Sequence, residues 1–231
     1  MTQTVVNKST SMDAVIAKIG QIGVLPVIRA ANLDQASRAV DAIREGGIPA
    51  VEITMTVPGA PALIEAVARQ YGKDTLVGAG TVLSADQANA CIDAGAEFIV
   101  SPGLSISVMT TAAAAGKLAI PGALTPTELM HATKSGAKLI KIFPCGSVGG
   151  PKYIKSLLAP FPSAALVPTG GVNLANAAEY IAAGAFALGV GAELVDAAAL
   201  RDGNTKKIVD AARMLIDNIR RARAASAPGN W

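Results

Sequence analysis

The chain has 231 residues, of which 51% are hydrophobic and 16% charged, with 20 basic residues against 17 acidic ones. That is enough apolar material for one sizeable core, and it excludes a disordered chain. The small net charge of +3, the two cysteines and the single histidine argue against a nucleic-acid binder, a disulfide framework and any metal site built on two histidines.

Residues 1–11 form a polar N-terminal arm without the apolar run of a signal peptide. No stretch is long and apolar enough to read as a membrane span, so a soluble, cytoplasmic protein without a membrane partner is expected. Residues 11–20 read as an extra N-terminal helix. A pattern then recurs: an Ala/Leu/Ile-rich helix, a glycine just past it, and a short apolar run. Examples are EGGIPAVEITMT (45–56), DAGAEFIVSP (93–102) and SGAKLIKIFP (135–144). The glycine suits a left-handed helix C-cap. The apolar runs do not alternate strictly, as expected of parallel strands buried on both faces. Eight strands are predicted: 24–29, 50–56, 75–82, 98–102, 118–122, 138–144, 166–171 and 186–191. A helical segment separates each pair, with a βα unit every ~20–25 residues. Eight such units imply an α/β fold, a closed (β/α)8 TIM barrel, as one domain over 1–231. The alternative is an open doubly wound sheet, but no GxGxxG follows the first strand. Thr125-Pro126-Thr127-Glu128 reads as a helix start, with Thr125 as N-cap and Glu128 as its capping-box partner. Lys206, Lys207, Arg213, Arg220, Arg221 and Arg223 read as the solvated face of a last helix, and residues 222–231 as a frayed, flexible tail.

Polar residues that interrupt the apolar strands are the functional candidates, because barrel chemistry sits at the C-terminal ends of strands. Lys141 lies inside Leu139-Ile140-Lys141-Ile142-Phe143-Pro144. Burial penalises an ammonium, and a neutral amine attacks carbonyls. Lys138 has the opposite parity and is expected to face solvent. Glu52 lies inside Ala50-Val51-Glu52-Ile53-Thr54 and suits a proton shuttle tuned by burial. The residues alone leave both groups open to a structural reading, as a snorkelling lysine and a core ion-pair partner. Arg29, ending the first strand, is either a carboxylate clamp or a surface arginine. Thr54, Thr56, Thr81 and Thr169 mark strand ends, where a lone threonine is more often a local hydrogen-bonder than a ligand. Val167-Pro168-Thr169-Gly170-Gly171 and Leu188-Gly189-Val190-Gly191-Ala192 close the seventh and eighth strands. Glycine-exposed backbone N–H groups at those two positions form a candidate phosphate cradle.

The blocks PVIR (26–29), VEITMTVPGA (51–60), GAGTV (78–82), FIVSPGL (98–104), PGALTPTEL (121–129), KIFP (141–144), PTGGVN (168–173) and GVGAELV (189–195) occur in order. In these blocks the chain resembles the 2-keto-3-deoxy-6-phosphogluconate (KDPG) and 4-hydroxy-2-oxoglutarate (KHG) aldolase family. The resemblance covers roughly residues 12–199 and implies an imine on Lys141 and proton transfer by Glu52. Thr81, Pro102 and Phe143 resemble the pyruvate pocket, while Thr169, Gly170, Gly171 and Gly191 resemble the distal or phosphate site. The chain departs from the family twice. Thr56 stands where some members carry a carboxylate-binding arginine, a role Arg29 is expected to take over. Ala192 stands where many have a serine, which removes one neutral hydrogen bond of roughly 0.5–1.5 kcal/mol.

The resemblance implies a class I aldolase that cleaves KDPG to pyruvate and glyceraldehyde 3-phosphate, and KHG to pyruvate and glyoxylate. No cofactor or metal is implied; the partners are the keto acid and aldehyde substrates and, as a homotrimer, further copies of the chain. The alternatives are an aldolase for the C4 epimer, 2-keto-3-deoxy-6-phosphogalactonate, and a metal-free phosphosugar isomerase or binding protein on the same barrel.

Overall fold

The computed structural model describes residues 8–226, with side chains described over 12–225. A helix, α1 (Lys8–Ile22), precedes the first strand, so the last four residues of the polar arm are helical; residues 1–7 lie outside the described residues. The chain then alternates strand and helix: β1 (Val24–Ile28), α2 (Leu33–Glu45), β2 (Ala50–Thr54), α3 (Ala60–Tyr71), β3 (Leu76–Gly80), α4 (Ala85–Asp93), β4 (Phe98–Val100) and α5 (Ile106–Ala114). After these come β5 (Leu118–Ile120), β6 (Gly122–Ala123), α6 (Pro126–Lys134), β7 (Ile140–Ile142), α7 (Pro151–Leu158), β8 (Leu166–Pro168), α8 (Ala177–Ala182), β9 (Leu188–Val190), α9 (Ala197–Arg201) and α10 (Thr205–Ser226).

Each of the eight predicted strands coincides with observed strand, usually shortened at its C-terminal end. The shortened ends are the loops that carry the polar residues. The predicted fifth strand, 118–122, is broken at Pro121, which has no N–H to give to a ladder, and becomes β5 and β6. Every pairing is parallel. Six strands run in the order β5-β4-β3-β2-β1-β9 and three in the order β6-β7-β8. A parallel bridge between Thr169 and Gly189 links β8 to β9. The result is an α/β fold of parallel strands flanked by helices.

All five residues of each of β1, β2 and β3 are buried because both faces of these strands are covered, which explains their largely aliphatic content. Helix α2 shows the complementary logic: Ala36, Ala39, Val40 and Ile43 recur at helical spacing and are buried, and Asn32 caps its start by accepting from the Gln35 N–H at 2.9 Å. Helix α10 packs on α2 and α8. Its cations Lys206, Lys207, Arg213, Arg220 and Arg221 are exposed, as expected, and Arg223 is half-buried. Lys206 pairs with Asp210 at 2.8 Å and Lys207 with Asp196 at 2.5 Å. Arg223 donates to the Gln21 and Phe186 carbonyls at 3.1 Å. The expected frayed tail is therefore corrected for residues 222–226, which are helical and tied down by Arg223; residues 227–231 lie outside the described residues.

The start of α6 matches the sequence expectation. Thr125 accepts from the Glu128 N–H at 3.3 Å, and the Glu128 carboxylate accepts from the Thr125 and Leu124 N–H groups at 2.7 and 2.8 Å. Those backbone donors hold the Glu128 carboxyl below the usual glutamate range. A group with a depressed pKa contributes stability above its unfolded pKa and loses it as pH falls through the folded one. Replacing Thr125 with Ala is expected to cost about 1 kcal/mol in urea unfolding at neutral pH. The deficit should shrink in acid, where wild type also loses the Glu128 half of the box; a deficit constant down to the acid limit would contradict the pairing.

Candidate active site

The strands deliver their interrupting polar residues to one region. Glu52, in the middle of β2, has Val27 of β1 and Gly78 of β3 as register partners. Lys141, in the middle of β7, lies between Gly122 of β6 and Val167 of β8. The two strands are far apart in both sequence and sheet order, yet Lys141 Nζ lies 3.9 Å from Glu52 Oε1. Lys141 is 3% exposed and Glu52 2%. Two charges at this depth are costly unless they pair or act.

Glu52 Oε1 has no hydrogen-bond partner. Burial pushes the Glu52 carboxyl up, and this outweighs the opposing pull of Lys141 and then Arg29. The glutamate is thus a buried acid with one uncommitted oxygen facing an amine. The amine also lies 5.2 Å from the centre of the Phe143 ring. Lys138, which precedes the strand, is exposed as its parity predicts.

Glycines make the space. A Cβ on Gly80 would lie far inside contact distance of Glu52 Oε1, and one on Gly78 would press into the Phe98 ring. The Gly78-Ala79-Gly80 strand therefore has glycine at alternate positions on the face that meets Glu52 and Phe98. Sequence reasoning quoted this stretch without giving its glycines a role. The alternation of Gly with Ala in a buried strand was the available signal, since strand glycines mark close approach.

Arg29 follows β1 and donates to Thr56 Oγ1 at 3.3 Å and to Thr81 Oγ1 at 3.4 Å. Thr54 Oγ1 lies 2.6 Å from Thr56 Oγ1 and donates to the Ile28 carbonyl at 2.9 Å. Thr81 sits at φ +56, the one non-glycine residue in the left-handed region among those described. An exposed cation is thus held at the ends of β1, β2 and β3 by Thr56 and Thr81, with Thr54 bonded to Thr56. All four strand-end threonines make local hydrogen bonds, as expected of each taken singly; Thr54, Thr56 and Thr81 in addition form one group around Arg29, while Thr169 donates to the Val167 carbonyl at 3.3 Å.

A cavity of about 210 Å³ is lined by Arg29, Lys141, Phe143, Thr169, Gly170, Gly171, Gly191, Ala192 and Glu193, together with Val27 and Val172. It brings the amine and the arginine together with both glycine-rich loops. Gly170 and Gly171 have φ of +83 and +80, and a Cβ on Gly170 would press on the Phe143 ring at 3.3 Å. The Gly146 N–H donates to the Gly170 carbonyl at 2.8 Å and the Cys145 N–H to the Thr169 carbonyl at 2.9 Å, which fastens the loop after β7 to the loop after β8. Thr56 and Thr81 reach the cavity through Arg29. Pro102 is half-buried after β4, with its carbonyl against Gly122, the register partner of Lys141, and does not itself line the cavity. Glu193 was not singled out from the sequence; it was quoted only inside the GVGAELV block.

The family model for KDPG and KHG aldolase matches residues 15–211. The chain belongs to this family. It is an aldolase, a lyase by reaction class. Among its relatives, the 2-dehydro-3-deoxy-phosphogluconate aldolase of Treponema pallidum (strain Nichols) is 36% identical over 171 residues, covering 74% of this chain and 81% of that one. The 2-dehydro-3-deoxy-6-phosphogalactonate aldolase of Escherichia coli (strain K12) is 38% identical over 165 residues, covering 71% and 80%. Among solved structures, KDPG aldolase from Legionella pneumophila, with pyruvate captured as a covalent carbinolamine, superposes with a TM-score of 0.80 at 30% identity, covering 87% of this chain and 97% of that one.

In this aldolase the Gly80 clash provides a test. Gly80→Ala is expected to displace the Glu52 carboxylate and lower kcat by tenfold or more, since misplacement of about 1 Å costs up to ~10²-fold. Steady-state pyruvate release, with circular dichroism to check folding, reads it. Wild-type kcat in a folded Gly80→Ala protein would show that Glu52 does not depend on this space.

Proposed function

We propose that the chain is a class I aldolase that forms a Schiff base through Lys141 and cleaves KDPG to pyruvate and glyceraldehyde 3-phosphate. We propose that it also takes KHG, giving pyruvate and glyoxylate. The observation that carries this reading is the buried Lys141 amine 3.9 Å from a Glu52 oxygen that has no other partner.

The neutral Lys141 amine attacks C2 of the keto acid. The carbinolamine loses water and becomes a protonated imine, which draws electrons from the carbon chain. Glu52, directly or through a water, takes the C4 hydroxyl proton. The C3–C4 bond breaks, its electron pair moves into the imine as an enamine, and the aldehyde leaves. Glu52 returns the proton to C3, and water hydrolyses the imine to release pyruvate and free the amine. Electrostatic support comes from Arg29, which is placed to hold the pyruvyl carboxylate in a bidentate fork with Thr56 and Thr81 as its anchors. Thr169 and the backbone of Gly170, Gly171, Gly191 and Ala192 meet the distal end. Phe143 walls the pyruvyl end, and Pro102 backs it from outside the cavity, with its carbonyl against Gly122. The carbinolamine captured in the Legionella pneumophila enzyme supports the imine by likeness.

The proposed architecture is a closed (β/α)8 barrel with α1 as an additional helix. In its favour, β5 and β6 follow each other across Pro121, and the Thr169–Gly189 bridge joins the other two free edges. We also propose a cytoplasmic homotrimer. A designed cage made by fusing symmetric oligomeric domains aligns at a TM-score of 0.80 and 32% identity, which favours an oligomer. Among the described residues no helix is long and apolar enough to cross a membrane. Light scattering should return the mass of three chains; a monomer mass at micromolar concentration rules the trimer out.

Borohydride reduction with pyruvate should leave a pyruvyl adduct on Lys141, and Lys141→Ala should abolish both adduct and turnover. Glu52→Gln should still be trapped while turnover falls ~10²–10⁴-fold. A general base must be ionised, so wild-type activity rises with pH through the Glu52 pKa. Burial places that acid limb above the ordinary 4.5, and it should be absent in Glu52→Gln. A folded wild type that gives no adduct refutes the imine mechanism.

A further inference from the structure

Thr54 is fully buried at the end of β2, where a hydroxyl is costly unless it is bonded. Its bonds have only one consistent direction. A carbonyl can only accept, so the single Thr54 hydroxyl hydrogen goes to the Ile28 carbonyl at 2.9 Å. Thr54 Oγ1 must then accept from the Thr56 hydroxyl at 2.6 Å. Thr56 has spent its hydrogen, so its oxygen is free to accept from Arg29 Nη1 at 3.3 Å, and a guanidinium can only donate. The chain of donors therefore runs from Arg29 through Thr56 and Thr54 to the carbonyl of Ile28, the residue just before Arg29. Arg29 is exposed, yet its side chain is tied back to its own strand through two side chains of the neighbouring one.

The other branch is a single bond from Arg29 Nη2 to Thr81 at 3.4 Å. A long cation in water has many rotamers, and a fork can grip a carboxylate at full strength only where it is already aimed. We propose that Thr54, which lines no cavity, is a positioning residue for keto-acid recognition: by orienting Thr56 it aims Arg29 at the pyruvyl carboxylate. The inference rests on the reading of Arg29 as the carboxylate clamp. Without the Thr54 oxygen, Thr56 has no fixed acceptor, its hydroxyl turns, and Arg29 loses the lone pair that held Nη1. The carboxylate is held alike before and during bond cleavage, so the loss falls on KM and leaves kcat nearly unchanged.

The test uses Thr54→Val, which keeps the shape and removes the hydroxyl, in the full-length enzyme, with pyruvate release as the readout. Loss of one neutral bond should raise KM by about three- to tenfold with kcat within about twofold. Thr54→Ser, which keeps the hydroxyl, should restore KM. Thr56→Val cuts the chain at an exposed position and should raise KM by a similar factor even if Thr54→Val folds poorly. In Arg29→Met the Thr54→Val change should have no further effect on KM, because the cation it aims is gone. An unchanged KM in folded Thr54→Val, a fall in kcat instead, or an undiminished effect in the Arg29→Met background overturns the inference. If Arg29→Met itself leaves KM unchanged, the carboxylate reading of Arg29 fails and the inference falls with it, with the imine on Lys141 untouched.

Discussion

The rest of the site depends on a lysine and a glutamate held 3.9 Å apart at nearly complete burial. Neither residue is cheap to bury alone, because each would leave an uncompensated charge. Together they are tolerable, and the surrounding strands are built to admit them. Gly80 clears the Glu52 carboxylate, Gly78 clears the Phe98 ring, and Gly122 stands in register beside Lys141. The buried pair is not fully satisfied. Glu52 keeps one oxygen unbonded and its carboxyl is pushed up by burial. Stability and reactivity pull in opposite directions here, and the residual cost sits where the proposed proton transfer needs it.

A second level of order surrounds the pair. Arg29 is fixed by Thr56 and Thr81, and Thr54 ties Thr56 back to β1. The loops after β7 and β8 are fastened to each other through backbone donors from Cys145 and Gly146. One end of the cavity is therefore cationic and rigidly braced. The other is formed by glycine backbone with a carboxylate at its rim.

Much of this was legible in the residues. Short aliphatic runs after glycine marked the strands, because a strand buried on both faces has no polar alternation to keep. Lys141 and Glu52 were conspicuous as the charges that such runs exclude. The capping box at Thr125 was readable because its hydrogen bonds span only three residues. Other features were not readable. Strand ends were overextended, since Thr56, Thr81 and Gly171 continue the polar-tipped pattern while their backbones leave the ladder. Residues 222–226 read as a frayed tail because the anchors of Arg223, the Gln21 and Phe186 carbonyls, are up to about 200 positions away. The GAG glycines signalled a close approach, but not what approaches, because their neighbours Glu52 and Phe98 lie on other strands.

The sequence by itself determined the alternation of strand and helix and the α/β class, its motif blocks carried the family resemblance, and it marked Lys141 and Glu52 as charges inside apolar runs. The alternation and the two interrupting charges follow from local spacing, local capping and composition, which act over a few residues. The tertiary structure alone decided which polar groups meet. It brings Lys141 to Glu52 across 89 positions of chain, joins Arg29 to Thr56 and Thr81 in the loops after β2 and β3, and places Glu193 in the lining of the same cavity as Lys141. Those distances are set by strand register and by the packing of glycine against side chain. Both are properties of paired strands, and no single segment encodes them.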